Sequence, residues 1–336
     1  MKKHFRALLG IAISAVLLWW VLKEVSLTTV LHILSQSNPW LFAIATVCAT
    51  LIFPLRARRW RTILDPIYPK LPFGPLWRAT AIGMMANNVL PARAGEVARA
   101  YVLTRETPVP FSTSIASLAV DRVFDLIVIL LLAFLSVLDP QFPSRASIGG
   151  VSLAHLALGG VTLVIAAIIV LYALVFFPTP LIRLFELFAQ RLAPKIEERG
   201  KLALVKFSQG LNVLRSPRHF AAIMGWTIAH WLMNALGFWV AMMAVGIHAP
   251  FSASLLLQAL IALGVAVPSA PGFFGLWEKV AVLGLAIYAV GPSLATAWAR
   301  GFHILTFIPI TVIGAIYAAR LNLNLKDLQA QQTAAT

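Results

Sequence analysis

Residues 87–96 read NNVLPARAGE, and this decapeptide decides how the surrounding sequence folds. It places two asparagines, a proline, an arginine and a glutamate between the apolar stretch that ends at Met85 and the apolar run that begins at Phe111. Such residues form either an aqueous loop or the lining of a cavity within a membrane, where protein or water must satisfy the freed backbone groups. The choice between these two interpretations depends on whether the neighbouring segments lie in water or in a lipid bilayer.

The composition indicates that this solvent is a lipid bilayer. The chain has 336 residues, of which 60% are hydrophobic and 12% charged, and its mean hydropathy is +0.86. These values lie outside the range of soluble domains. The lone cysteine, Cys48, lies in an apolar segment and excludes a disulfide within the chain.

A spanning helix needs about 20 mostly apolar residues, and six segments of the chain meet this requirement. They are residues 6–24, 38–55, 112–138, 152–177, 219–245 and 293–318. The first of them has no small-residue cleavage site behind it and is predicted to be a retained helix. Two further segments, 73–105 and 251–290, are apolar but interrupted near their middles, and we call them the first and second broken hairpins.

The remaining sequence fits a single integral membrane domain over residues 1–336. Residues 180–218 form a long connection, which is either an amphipathic hairpin at the membrane interface or a solvated linker. A cytoplasmic N-terminus places this connection, the arginines of 56–61 and the tail 320–336 inside, and leaves Lys23 and Arg145 outside. The positive-inside rule then predicts two cytoplasmic termini in the cell membrane. The net charge of +15 follows from this topology and does not indicate a nucleic-acid partner.

The two broken hairpins share one pattern. The first centres on LPARAGE (90–96) and the second on VPSAPGFFGLWE (267–278), so both read apolar run, proline, glycine, glutamate, apolar run. Three predicted spans separate them, and an odd number of crossings inserts them from opposite faces. We therefore predict an all-α polytopic membrane helical bundle with two inverted repeats, each with a broken or re-entrant helical hairpin. The breaking residues are Pro91, Gly95, Pro268, Pro271, Gly272 and Gly275.

Four acidic residues lie in apolar surroundings: Glu96, Asp121, Asp125 and Glu278. A charge at the centre of a spanning helix costs about 2.5 to 3.5 kcal/mol, so each needs a partner or water. Arginine exceeds the nearby acids, which favours an anionic ligand because a guanidinium binds phosphate through two hydrogen bonds. The predicted substrate-binding residues are Asn88, Arg93, Glu96, Arg99, Asp121, Arg122, Asp125, Glu278 and Arg300.

Within this set the predicted roles differ. Arg93, Arg122 and Arg300 are the predicted phosphate contacts, while Glu96 and Glu278 orient them or take up protons. The alternative for each pair is a structural salt bridge between helices, either Asp125 with Arg122 or Glu278 with Arg300.

Several of these motifs together resemble a known family. RARRWR (56–61), NNVLPARAGEVARAYVL (87–103), DRVFD (121–125) and VPSAPGFFGLWE (267–278) are similar to the membrane region of the lysylphosphatidylglycerol synthase and flippase-like family. The resemblance covers nearly the whole chain and adds Arg59 to the residues of interest. In bifunctional members a large cytosolic aminoacyl-transferase domain follows this region, which is implicated in moving the lipid between leaflets. The resemblance thus implies a stand-alone lipid-translocating domain without synthase activity.

The expected function is a flippase, not an enzyme, for an anionic phospholipid or polyprenyl-phosphate lipid, with no cofactor and no metal. The sequence contains no nucleotide-binding signature, so proton coupling or a lipid gradient would drive it. One alternative is a membrane-embedded lipid transferase or phosphatase in which Glu96, Asp121 and Asp125 hold a divalent metal. Another is a non-catalytic partner of a separate lipid-modifying enzyme. The lipid, the direction, the coupling and the oligomeric state stay open.

Overall fold

A computed structural model describes His32 and residues 35–90, 94–143, 147–148, 151–152, 216–265 and 271–323, with isolated residues between 159 and 187. The predicted span 6–24 and almost all of 152–177 and of the connection 180–218 lie outside the described residues. So do Pro91, Arg93 and Pro268, and the end of the tail 320–336.

The described chain is helical, which confirms the predicted all-α bundle. Its helices are α1 (Pro39–Leu64), α2 (Phe73–Val89), α3 (Gly95–Glu106), α4 (Phe111–Val137), α5 (Pro217–Ala244), α6 (Phe251–Gly264), α7 (Leu276–Ala286) and α8 (Pro292–Arg320). A short 3-10 turn, Pro271–Phe273, precedes α7, and two-residue strands β1 (Ser147–Ile148) and β2 (Val151–Ser152) pair antiparallel. Helices α2 and α3 form the first broken hairpin, and α6 and α7 form the second.

Three helices of the described segments, α1, α5 and α8, are long and apolar enough to cross a membrane. Helix α4 has a similar length of 27 residues but carries Asp121, Arg122 and Asp125 in its middle. Helices α4, α5 and α8 begin and end within two residues of predicted spans. Helix α1 instead continues nine residues past the predicted end at residue 55, and the reason lies in the partners of its arginines.

Local chemistry fixes the start of α1. Pro39 occupies the first helical turn, and the side chain of Asn38 accepts hydrogen bonds from the backbone amides of Trp40 and Leu41 at 3.0 and 3.3 Å. This cap satisfies amides that have no partner inside the helix. The Asn38 amide in turn donates to the carbonyl of Ala244 at 2.9 Å, which joins the start of α1 to the end of α5.

The helices pack reciprocally. Helix α1 packs along α5, α2 packs on α8, and α6 packs on α4. Within each half, α1 contacts α2 as α5 contacts α6, and α3 contacts α4 as α7 contacts α8. These pairings are unchanged when α1–α4 are exchanged with α5–α8, as expected of an internal repeat. The opposite insertion of the two halves stays a prediction.

Glycine permits the closest helix crossings. A Cβ added to Gly83 of α2 would lie 2.6 Å from the carbonyl oxygen of Gly95 on α3, and one added to Gly264 of α6 would lie 2.7 Å from a methyl carbon of Val280 on α7. Gly314 of α8 likewise meets the backbone of α2 at Ala81. Real Cβ atoms do not approach other atoms so closely, so these three crossings require glycine.

We expect Gly314→Ala to destabilise the bundle by about 1 to 3 kcal/mol, because the added methyl group overpacks a backbone contact. The matched control is Gly225→Ala, since Gly225 lies in α5 with open space around its Cβ position. That control should be neutral or stabilising, because alanine favours a helix over glycine. Thermal unfolding in detergent measures both variants, and equal midpoints would contradict the close crossing of α8 and α2.

Candidate functional site

Charged side chains of three helices meet in one buried group, which we call the ionic cluster. It consists of Arg56 and Arg59 from α1, Glu96 and Arg99 from α3, and Asp121, Arg122 and Asp125 from α4. Four guanidinium groups thus face three carboxylates, and one unit of positive charge is left over. Five of the nine predicted substrate-binding residues belong to this cluster.

Arg59 is the centre of the ionic cluster. Its Nε lies 2.6 Å from an oxygen of Asp121 and its Nη1 lies 2.6 Å from an oxygen of Asp125. The side chains of Arg59 and Asp121 are fully buried. Asp121 and Asp125 share one face of α4 because they are four residues apart. One planar guanidinium therefore holds both carboxylates, which would otherwise repel each other.

Helix α5 completes this buried centre. Trp231 donates its indole N–H to Asp125 at 2.9 Å, and Arg59 donates to the hydroxyl of Thr227 at 3.2 Å. These bonds join α1, α4 and α5 at one point. They also explain why α1 continues past its predicted end, since Arg56 and Arg59 are buried against acids rather than solvated. The placement of the arginines of 56–61 on the cytoplasmic side stays a prediction.

One side of the ionic cluster is accessible, and we call Glu96 and Arg122 the open rim. The side chain of Arg122 is 44% exposed and that of Glu96 is 32% exposed. Arg122 lies 3.2 Å from Glu96 and 3.1 Å from Asp125. Glu96 also lies 3.3 Å from Arg99, so its carboxylate bridges two guanidinium groups.

Arg99 links the open rim to the buried centre. Its guanidinium lies 3.6 Å from Asp121 and stacks 4.6 Å from the ring centroid of Trp60, an arrangement that stabilises a cation on an aromatic face. Trp60 is fixed by an indole hydrogen bond of 2.8 Å to Ser117. Among the described residues, Nε and Nη2 of Arg99, Nε of Arg56 and Nη2 of Arg59 have no hydrogen-bond acceptor.

The asparagines of NNVLPARAGE hold the hairpin and lie outside the ionic cluster. Asn87 accepts a hydrogen bond from the Gly95 amide at 2.8 Å, across the break between α2 and α3. Asn88, a predicted ligand residue, donates to Thr311 of α8 at 2.7 Å. The structure therefore shows Asn88 as a tie between α2 and α8. Arg93, a predicted phosphate contact, lies outside the described residues.

The second broken hairpin has a different chemistry. Gly272 and Gly275 have φ of 65° and 82°, a region that favours glycine, and they form the turn before α7. Glu278 accepts a hydrogen bond from the Gly275 amide at 2.6 Å, and its other oxygen lies 2.6 Å from Nδ1 of His303. The imidazole stacks between Phe274 and Trp277, at centroid distances of 4.5 and 4.6 Å.

His303 is therefore the partner of Glu278, for which the sequence had left Arg300 as the alternative. Arg300 is exposed and forms no ion pair with any residue that the structure describes. The alternative of a Glu278–Arg300 salt bridge is wrong. Helix rotation decides this, because α8 directs His303 toward Glu278 and Arg300 away from the protein interior.

The predicted site residues do not include Arg56, Trp60, Thr227 or Trp231. A signal for Arg56 existed, since Arg56 and Arg59 are three residues apart and share a helix face if α1 continues. The indole and hydroxyl partners had no such signal. Their neighbours in space are more than 50 residues away in the chain.

The fold and the site define a class: an integral membrane protein with a multi-helix bundle and a buried, arginine-rich ionic cluster. The chain belongs to the family described as the lysylphosphatidylglycerol synthase TM region, whose sequence profile matches residues 7–314. This match confirms the family resemblance of the motifs.

Individual relatives are archaeal. The chain is 27% identical over 307 residues to a UPF0104 membrane protein of Methanothermobacter thermautotrophicus, covering 86% of each chain. It is 26% identical over 333 residues to a UPF0104 membrane protein of Pyrococcus horikoshii, covering 94% of this chain and 96% of that protein. It is also 41% identical over 100 residues to glycosyltransferase AglD of Haloferax volcanii. That last match spans 30% of this chain and 16% of the relative.

Arg59→Ala should destabilise the protein by about 3 to 5 kcal/mol, because two buried carboxylates lose their shared partner. The matched control is Arg61→Ala, which removes an arginine of the same helix whose pair with Asp65 is partly exposed, at 3.7 Å. Exposed pairs contribute about 0 to 1 kcal/mol. Thermal unfolding in detergent compares the two, and the assignment of Arg59 as the centre fails if both variants unfold alike.

Proposed function

We propose that the protein is a translocator for an anionic membrane lipid, whose headgroup phosphate passes the open rim of the ionic cluster. The observation that carries this proposal is the unbalanced charge of the cluster together with the 44% exposure of Arg122. A purely structural cluster is most stable when its charges balance, since an uncompensated charge in a membrane protein is costly. An excess guanidinium beside an accessible surface instead favours binding of an anion.

Glu96 supports a specific role for the rim. Its carboxylate bridges Arg99 and Arg122, at 3.3 and 3.2 Å, as a phosphate would. In this proposal the Glu96 carboxylate occupies the anion-binding position while no headgroup is bound. Protonation of Glu96, or its movement with α3, frees both guanidinium groups for the phosphate. Departure of the lipid and return of the carboxylate reset the site.

The two hairpins supply the scaffold for such an exchange. Helix α2 packs on the turn Pro271–Phe273 of the second hairpin as well as on α8. The first hairpin is therefore in contact with the break of the second. Reciprocal packing of two halves is the arrangement that lets one half rock against the other around a shared site. The Glu278–His303 contact of 2.6 Å ties the second hairpin to α8 in the same way.

The family and the charge distribution support the cellular setting that we propose. The name lysylphosphatidylglycerol synthase refers to a phosphate-bearing lipid. The family match relates this chain to the membrane region of those proteins. The asymmetric distribution of basic residues supports two cytoplasmic termini in the cell membrane.

A second candidate function comes from the 100-residue match to glycosyltransferase AglD. It favours a role beside or within a glycosyltransferase, which is one kind of the membrane-embedded transferase considered above. Two contacts argue for translocation over a metal site: oxygens of Asp121 and Asp125 lie 2.6 Å from Arg59. A divalent cation there would have to displace this guanidinium.

Reconstitution in liposomes with fluorescent phosphatidylglycerol tests the proposal. Arg122→Ala should slow leaflet exchange by at least about tenfold, the effect of losing roughly 1.4 kcal/mol of phosphate binding. Glu96→Gln should also slow exchange but should tighten headgroup binding, because both guanidinium groups lose their resident anion. Arg105→Ala, which removes an exposed arginine stacked on Tyr101 of α3, should leave the rate unchanged.

Two results would reject translocation by this site. One is wild-type exchange in Arg122→Ala protein whose unfolding midpoint equals that of the wild type. The other is EDTA-sensitive formation of a modified lipid with no exchange between leaflets, which would favour the enzyme.

A further inference from the structure

The outer face of α1 carries an apolar stripe that ends in an arginine. Trp40, Ile44, Val47 and Leu51 are 79%, 51%, 56% and 46% exposed, and Arg58 continues the same face at helical spacing. Trp40 and Arg58 are about 27 Å apart along a helix that rises 1.5 Å per residue. That distance matches the roughly 30 Å hydrocarbon core of a bilayer. Tryptophan and arginine are also the residues that anchor helices at its two interfaces.

Near Arg58 this stripe borders an open groove of about 430 Å³. Its walls come from α1, α5 and the start of α2, and they include Leu51, Leu55, Arg58, Phe73, Trp226 and Met233. Arg58 is the charged member of this lining. An apolar trough that runs along a lipid-facing helix and ends at a cation has the shape of a lipid tail below a headgroup.

Arg58 differs from the other arginines of RARRWR. Arg56 and Arg59 pair with Asp125, and Arg61 pairs with Asp65. Arg58 pairs with no acid in the described part of the chain, and its Nη1 is buried without a hydrogen-bond acceptor there. Its guanidinium lies 5.6 Å from the ring centroid of Trp226, which holds the group at the end of the groove.

We infer that this groove binds one anionic phospholipid, with an acyl chain along Leu51 and Met233 and the phosphate on Arg58. An uncompensated arginine beside apolar walls is stabilised by an anion that brings its own hydrocarbon. A neutral-headgroup lipid fills the trough but leaves the positive charge unbalanced. Arg58 and Arg59 are about 100° apart around α1, and none of the residues that line the groove belongs to the ionic cluster. The groove is therefore separate from the cluster and independent of the proposed translocation.

Native mass spectrometry tests the site directly. Purified protein is incubated with equal amounts of phosphatidylglycerol and phosphatidylcholine and then delipidated stepwise with detergent. The wild type should retain one phosphatidylglycerol after phosphatidylcholine has been removed. Arg58→Ala should weaken this retention on the order of tenfold, equivalent to ~1.4 kcal/mol. Arg58→Lys should restore part of it, because an ammonium keeps the charge but not the paired donors.

Two further variants test whether lipid retention depends on the groove itself or on any positive charge nearby. Arg61→Ala removes the same charge one helical turn away and should retain the lipid. Met233→Trp fills the groove while Arg58 stays intact, and this variant should lose the lipid. The site is rejected if Arg58→Ala retains phosphatidylglycerol like the wild type, if Arg61→Ala loses it equally, or if phosphatidylcholine is retained as well as phosphatidylglycerol.

Discussion

The double ion pair of Arg59 is the interaction on which the rest of the bundle depends. Its guanidinium binds Asp121 and Asp125 at 2.6 Å each inside a protein that is 60% hydrophobic. Neither the cation nor the two anions could stay buried without the others, since removing one partner leaves an uncompensated charge. The pair therefore fixes the rotation of α1 and α4 about their axes. Trp231 and Thr227 extend the same constraint to α5.

Because of that rotation, the four arginines of residues 56–61 lie in different surroundings. Arg56 and Arg59 are buried in the bundle, while Arg58 and Arg61 are partly exposed. Successive residues of an α-helix are about 100° apart, so a short basic run must distribute its charges around the helix. The same helix thus contributes the centre of the ionic cluster and the arginine at the end of the groove. Net charge alone could not distinguish the arginine of the ionic cluster from the arginine of the groove.

The two halves share a packing scheme but not a chemistry. Glycine crossings let α2 approach α3 and α6 approach α7, and each hairpin packs on the last helix of the other half. In the first half the hairpin glutamate, Glu96, meets arginines; in the second, Glu278 meets the stacked imidazole of His303. The two halves therefore combine a common packing arrangement with one arginine-rich and one histidine-containing site.

The sequence by itself determined the membrane class, the two broken hairpins and the grouping of Glu96, Arg99, Asp121, Arg122 and Asp125. These features follow from composition, from local breakers such as Gly272 and Gly275, and from helical spacing within one segment. Only the tertiary structure decided which cation meets which anion. Arg59 rather than Arg122 is the central partner, His303 rather than Arg300 meets Glu278, and Asn88 ties α2 to α8. The physical reason is that each of these pairs depends on the rotation of two helices distant in sequence, which long-range packing sets and no local pattern records.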